Sequence, residues 1–241
     1  NSCAAVLRIV RFELPDPKKM HIPEIVCDLA NQKKGMILVT GPAGSGKSTT
    51  LACIIDQINQ KRNTHIITIE DPIEYLHSHN KSIVSQREVF HDTKNYVAAL
   101  KAALREAPEV ILVGEMRDLE TIDIAITAAE TGHLIFSSLH TVGAANTIDR
   151  MIDVFPASQQ QQIRVQLAMV LNAVICQQLL PGVDGKMIPA FEIMICNQAI
   201  RTLIRDGKTH QIDSTISNSR QLGMITMDEA IIELYKQGKI S

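Results

Sequence analysis

The stretch "ILVTGPAGSGKSTT", Ile37 to Thr50, decides how the rest of the chain is read. An apolar run suited to a buried strand passes through Gly41, Gly44 and Gly46 and ends in Lys47, Ser48 and Thr49, where a helix should begin. Strand, glycine turn and helix in that order are the context that G-x-x-x-x-G-K-[ST] requires. Glycines let successive backbone N–H groups curl towards an anion, and the helix N-terminus adds the positive end of its dipole. A lysine then reaches the terminal phosphate oxygens, and a hydroxyl takes Mg²⁺. The stretch therefore predicts a cradle for a nucleoside triphosphate built from Gly41, Pro42, Ala43, Gly44, Ser45, Gly46, Lys47, Ser48 and Thr49, with Ser48 as a Mg²⁺ ligand.

Working outward, the pattern from Gly35 alternates short apolar runs with longer amphipathic ones. Strands are expected at "GMILVT", "HIITIE", "SIVSQREV", "EVILVG" and "HLIFSSL", with helices from Lys47 to about Gln60 and at "NYVAALKAALRE", "LETIDIAITAAET" and "AANTIDRMI". Such alternation predicts an α/β fold, a P-loop NTPase with a parallel sheet and helices on both faces, over 35 to about 180. The tail, 181–241, reads as mostly helical. Before it comes "ASQQQQIRVQLAMVLNAVICQQLL", taken as one long helix; after it come a turn "PGVDG", a strand "MIPAFEIMI", and helices near 197–206 and 226–237. The first 34 residues read as a strand, "AAVLRIVRF", then a proline-bearing link and a short helix, "EIVCDLANQ": the end of one domain and a linker into the next.

Hydrolysis needs more than a cradle: a carboxylate to hold Mg²⁺ and another to orient water. In "EVILVGEMRD" the acid falls one place beyond the usual strand-terminal aspartate, with Gly114 in that place and Glu115 next. "HIITIEDPIEY" offers Glu70, Asp71 and Glu74 as candidates, with Pro72 breaking the strand among them; the residues alone do not choose between the three. His133 and His140 stand at the two ends of an apolar strand, where either could sense a γ-phosphate or relay contact to a neighbouring subunit.

Bulk properties exclude several classes. With 45% hydrophobic and 21% charged residues the chain is ordinary globular protein. A net charge of -2 argues against a nucleic-acid binder, and three tyrosines, five phenylalanines and no tryptophan leave little to stack on bases. Five scattered cysteines without a C-x-x-C pair suggest neither zinc nor a disulfide framework and fit a reducing cytosol. No apolar run approaches the roughly 20 residues that span a bilayer.

Taken together, "GPAGSGKSTT", "TIEDPIE", "ILVGEMRDLET", "AAETGHLIFSSLHT" and "TIDRMIDVFP" resemble the Walker A, Asp box, Walker B and His box segments of the secretion and pilus ATPase superfamily. Within it the chain is most similar to the type IV pilus retraction ATPases of twitching motility, the PilT family. "AIRTLIRDGK" is similar to that branch's "AIRNLIRE" signature, departing at Thr202 and Asp206, and the four-cysteine zinc insertion of extension and type II secretion ATPases is lacking. The resemblance implies a RecA-like core working as a homo-hexameric motor on ATP and Mg²⁺, cytoplasmic at the inner face of the cell membrane, against a membrane platform protein. It implies that Glu115 is the Walker B acid serving Mg²⁺ and that Glu74 is the base that activates water. It further implies that His133 and His140 are the His-box pair, and that Arg8 is lent to a neighbour's γ-phosphate. Residues 1–34 would then be the last strand of an N-terminal PAS-like domain with its linker, as in a truncated chain. Arg201 and Arg205, four apart on one helix face, would suit an acidic partner surface.

Overall fold

The computed structural model describes residues 13–241; the expected strand over 4–12, and Arg8 with it, lies outside the described residues. After a short helix α1 (Glu24–Asp28), the strands and helices follow as β1 (Gly35–Thr40), α2 (Lys47–Lys61), β2 (His65–Glu70), β3 (Ile83–Glu88), α3 (Tyr96–Ala103), β4 (Val110–Val113), α4 (Leu119–Glu130), β5 (Leu134–Leu139) and α5 (Ala144–Asp153). Then come α6 (Ala157–Val170), β6 (Leu171–Pro181), β7 (Met187–Ile195), α7 (Gln198–Arg205), α8 (Ile212–Ser217) and α9 (Met227–Lys236). Seven strands form one sheet in the order β3-β2-β4-β5-β1-β6-β7. All neighbouring strands run parallel except β7, which returns antiparallel to β6.

The sheet is covered on both faces, and the reason is visible in β1. All six of its residues are buried, so its apolar run is continuous rather than alternating. Ile37 and Val39 pack with Leu51, Ile54, Ile55 and Ile58 of α2 and with Val26 of α1. Met36 and Leu38 face the other way, into a core shared with α3 to α8 through residues such as Leu100, Ile126, Ile148 and Leu167. The α/β expectation is borne out. Among the described residues no helix is long and apolar enough to cross a membrane.

One expectation fails. The stretch read as a single long helix breaks at Val170: α6 ends there, and "LNAVICQQLLP" becomes β6, a strand paired with β1. No glycine or proline marks the stop. Arg201, arriving from α7, donates its guanidinium to the carbonyls of Ala168 and, at 2.9 Å, of Met169, satisfying the last turn of α6. Leu171 is already extended at φ −68°, ψ 124°. A mostly apolar run such as "VLNAVIC" is equally compatible with a buried helix and a buried strand. Nη1 of Arg201 is thereby engaged within its own fold. The boundary expected at 180/181 falls inside the hairpin between β6 and β7, two strands of one sheet. Beyond Ile195 the described chain is helical, with 3₁₀ turns at Thr209–Gln211 and Arg220–Leu222 flanking α8.

Candidate functional site

In open parallel sheets, ligands bind beyond the carboxyl ends of the strands. That edge carries the P-loop after Thr40, the Asp box after Glu70, Gly114 and Glu115 after β4, and His140 after β5. Register brings them together, because Thr40 pairs with Leu139, Val113 with Ser137, and Ile69 with Val113.

The loop itself is dictated by space. At Gly41 (φ +143°) a Cβ would stand 2.1 Å from the carbonyl oxygen of Gln177, and at Gly46 (φ +92°) 2.8 Å from that residue's Nε2. Gln177, on β6, also accepts a 2.7 Å bond from Thr50 Oγ1 through its Oε1. It buttresses the cradle from behind, and reading β6 as helix hid it. Tyr75 does the same from the Asp box, its hydroxyl 2.9 Å from Thr49 Oγ1. We expect Gly41→Ala to lose on the order of 2 kcal/mol, about 4–8 °C in Tm, because its Cβ meets backbone. Gly44→Ala, with nothing within 4 Å of its Cβ, should cost only about 1 kcal/mol for its φ of +76°. Thermal denaturation of the two variants side by side checks the contrast.

Lys47 is 8% exposed, and its ammonium donates to Gly41 O at 3.0 Å and Pro42 O at 2.9 Å, with His140 Nδ1 at 3.5 Å. Lysine has no acceptor, so His140 Nδ1 must accept and its Nε2 carries the proton. That Nε2 faces Glu115 Oε2 at 3.4 Å, while Glu115 Oε1 is held by Arg117 Nε at 2.7 Å. A continuous polar line thus runs Lys47, His140, Glu115, Arg117. Burial pulls the Lys47 pKa below its ordinary value, opposed by the negative charges of Glu115 and Glu74. Glu70 is a different kind of acid. Burial raises its pKa, and its Oε1 accepts from Thr68 Oγ1 at 2.6 Å and Gln86 Nε2 at 3.2 Å. Asp71 is exposed.

The space where a conventional Walker B aspartate would project is used differently. A Cβ on Gly114 would stand 3.1 Å from the Tyr96 hydroxyl and from Ile69 O, and the first acid after β4 is Glu115. His133 is not brought to this edge. It precedes β5 at the opposite end, its Nδ1 3.0 Å from Ala128 O, and seven residue steps along the six-residue strand place it about 23 Å from His140.

The arrangement fits an anion with a hard cation. The N-terminus of α2 has no side-chain cap, and the buried hydroxyl of Ser45 has no hydrogen-bond partner; both are what a phosphate satisfies. Among the described residues no group of three or more His, Cys, Asp or Glu side chains is placed to cage a metal. Mg²⁺ does not need one, since it is held by one or two protein oxygens plus phosphates and water; Ser48 and Glu115 have the right donor chemistry. Beside Gly46 and Thr49 opens a cavity of about 800 Å³, walled by the β6–β7 hairpin, residues 19–23 and α9, among them Ile22, Phe191 and Leu234.

The comparisons with known proteins agree with this geometry. The model of the family described as type II/IV secretion system protein matches residues 16–236. The chain is 49% identical over 239 residues to a protein of Neisseria gonorrhoeae called twitching motility protein, covering 99% of this chain and 64% of that one. It is 48% identical over 237 residues to the type IV pilus retractation ATPase PilT of Pseudomonas aeruginosa, covering 98% and 69%. A crystal structure of the pilus retraction motor PilT with bound ADP matches with a TM-score of 0.92 at 53% identity, covering 97% and 66%. The chain therefore spans about two thirds of the length of these relatives. The likeness drawn from the motifs is borne out: the chain belongs to the type II/IV secretion system protein family.

Proposed function

We propose that this chain is the ATPase part of a pilus retraction motor, hydrolysing ATP with Mg²⁺ as a homo-hexamer. The observation that carries the reading is the line Lys47–His140–Glu115 at the carboxyl edge of the sheet, with the charge of Glu74 reaching Lys47 from the Asp box. In this reading residues 35–180 carry the chemistry and 181–241 form a C-terminal subdomain that adds β7 to the same sheet. Bound between phosphate oxygens, Ser48 and Glu115, Mg²⁺ would neutralise charge that develops on the phosphates.

The chain's own residues do the rest. Backbone N–H groups from Ala43 to Thr49 hold the phosphates, and Lys47 exchanges its carbonyl partners for γ-phosphate oxygens. Glu74 takes the proton of the attacking water. It suits that role better than Glu70, which is held by Thr68 and Gln86, or Asp71, which is exposed. His140, proton-bearing at Nε2 towards Glu115, reports whether Lys47 has moved to the phosphate. The apolar cavity beside Gly46 suits the nucleoside. Arg8 would reach a neighbour's γ-phosphate, and His133, at the far end of β5, would meet the next subunit rather than the nucleotide of its own chain. The ring would work at the cytoplasmic face of the membrane against a platform protein.

The test is steady-state ATP hydrolysis against protein concentration, with mass in solution followed in parallel. Turnover per subunit should climb as hexamers form. A flat, near-zero rate with ATP tightly bound would instead make the chain a nucleotide-binding module. Restoration of twitching in cells lacking their own retraction motor separates retraction from pilus extension or type II secretion.

A further inference from the structure

Glu192 lies in β7 and is only 6% exposed. A carboxylate so buried is stable only when fully bonded. Its Oε1 accepts the backbone N–H of Ala144 at 2.6 Å and the Cys176 thiol at 3.4 Å, and its Oε2 accepts the N–H of Met227 at 3.3 Å. Ala144 and Met227 are the first residues of α5 and α9. One carboxylate therefore satisfies orphan donors, and faces the positive dipole ends, of two helices distant in sequence. The N-terminus of α5 has no side chain of its own for this purpose, since its cap is Gly143.

The chain of bonds continues towards the nucleotide edge. Cys176 Sγ accepts from Thr40 Oγ1 at 3.1 Å, and Thr40 is the last residue of β1, directly before Gly41. The loop that Ala144 closes begins at His140. Three segments are tied through Glu192: the loop behind His140 and the start of α9 directly, and the end of the P-loop strand by way of Cys176. The same α9 walls the cavity beside Gly46 through Glu233 and Leu234.

We infer that Glu192 is a positioning residue that couples the seat of α9 to the loop carrying His140 and to the end of the P-loop strand. Its effect on turnover rests on the ATPase reading above; the mechanical coupling itself does not. A shift of α9 pulls on the carboxylate that holds Ala144, so the ring of His140 moves relative to Lys47 and Glu115. Conversely, a change at His140 is felt at α9.

Met227→Pro tests this by removing the N–H that Glu192 accepts, with Met227→Ala as the control for the lost side chain. Met227 is the first residue of α9, where proline is tolerated. Thr226 is already extended at φ −79°, ψ 162°, as the residue before proline must be, and its capping box with Glu229 survives. We expect amide exchange over 140–148, followed by mass spectrometry, to quicken about tenfold, and kcat for ATP to fall about tenfold with KM within about threefold. Met227→Ala, which keeps the N–H, should leave 140–148 close to wild type. If Met227→Pro loosens α9 alone, or if Met227→Ala does as much, the coupling through Glu192 is wrong. Should the proline variant fail to fold, Glu192→Gln is read the same way, because an amide cannot accept from both N–H groups. It must quicken exchange in 140–148 and at the start of α9 together, and quickening at one alone overturns the inference. A wild-type chain that does not hydrolyse ATP sinks the motor reading, while the exchange data still decide the coupling.

Discussion

Lys47→Ala should keep the fold and lose ATP hydrolysis by roughly a thousandfold in kcat/KM, about 4 kcal/mol at 1.36 kcal/mol per decade. The size follows from what surrounds the ammonium. It is the cation set against Glu115 and Glu74, whose charges oppose the lowering of its pKa by burial. Without it, Glu115 and Glu74 lose one cation set against them as the triphosphate enters, so binding weakens along with turnover. The fold survives because, apart from the ammonium's bonds to Gly41 O and Pro42 O, the cradle is shaped by Gly41 and Gly46 against Gln177 and by Tyr75 and Gln177 on Thr49 and Thr50. Lys47→Met, which keeps the length of the side chain and discards the charge, should fall as far as the alanine variant. Calorimetric ATP titration with a thermal melt checks both halves. A methionine variant with near wild-type turnover would mean that Lys47 packs the loop rather than binding phosphate.

Much of this architecture was legible in the chain because the information was local. Six residues of β1, a glycine turn and a helix start fall within Gly35 to Lys61, and every expected strand from β1 to β5 appears with its boundaries shifted by no more than a residue or two. What was not legible depended on contacts far apart in sequence. The stop of α6 is made by Arg201, more than thirty positions downstream, so no local signal announces β6. With β6 misread, Gln177 could not be recognised as the wall behind Gly41, nor Cys176 as the link between Thr40 and Glu192.

The site shows the same divide. Glu115 and His140 follow strands of one sheet, and parallel pairing of β4 with β5 and of β5 with β1 brings them to one edge. His133 belongs to the same apolar strand, but strand geometry sends its two ends to opposite edges. The acids of the Asp box could not be ranked by spacing; the burial of Glu70, its bonds to Thr68 and Gln86, and the charge of Glu74 on Lys47 are quantities that exist only once the chain has folded.

Glu74→Gln and Glu115→Gln should both keep ATP bound and each lose turnover by about a hundredfold or more, for different reasons that one titration separates. Glutamine at 74 has the shape of glutamate but cannot take a proton, so the loss lies in kcat, and raising Mg²⁺ restores nothing. At 115 the carboxylate accepts from Arg117 Nε at 2.7 Å and faces the proton-bearing Nε2 of His140 at 3.4 Å. An amide can accept from only one of these and presents its own N–H to the other, so the ring of His140 loses its hold. The cation would also lose one of its two expected protein oxygens. Glu115→Gln should therefore need several-fold more Mg²⁺ for half-maximal rate, whereas Glu74→Gln should not. Turnover by Glu74→Gln at the wild-type rate would move the base to Glu70 or Asp71, and Glu70→Gln would be the next variant to assay. An unchanged Mg²⁺ requirement in Glu115→Gln would take the metal away from that carboxylate and leave it the role of holding His140 in place, with Ser48 and the phosphates as the metal's remaining partners.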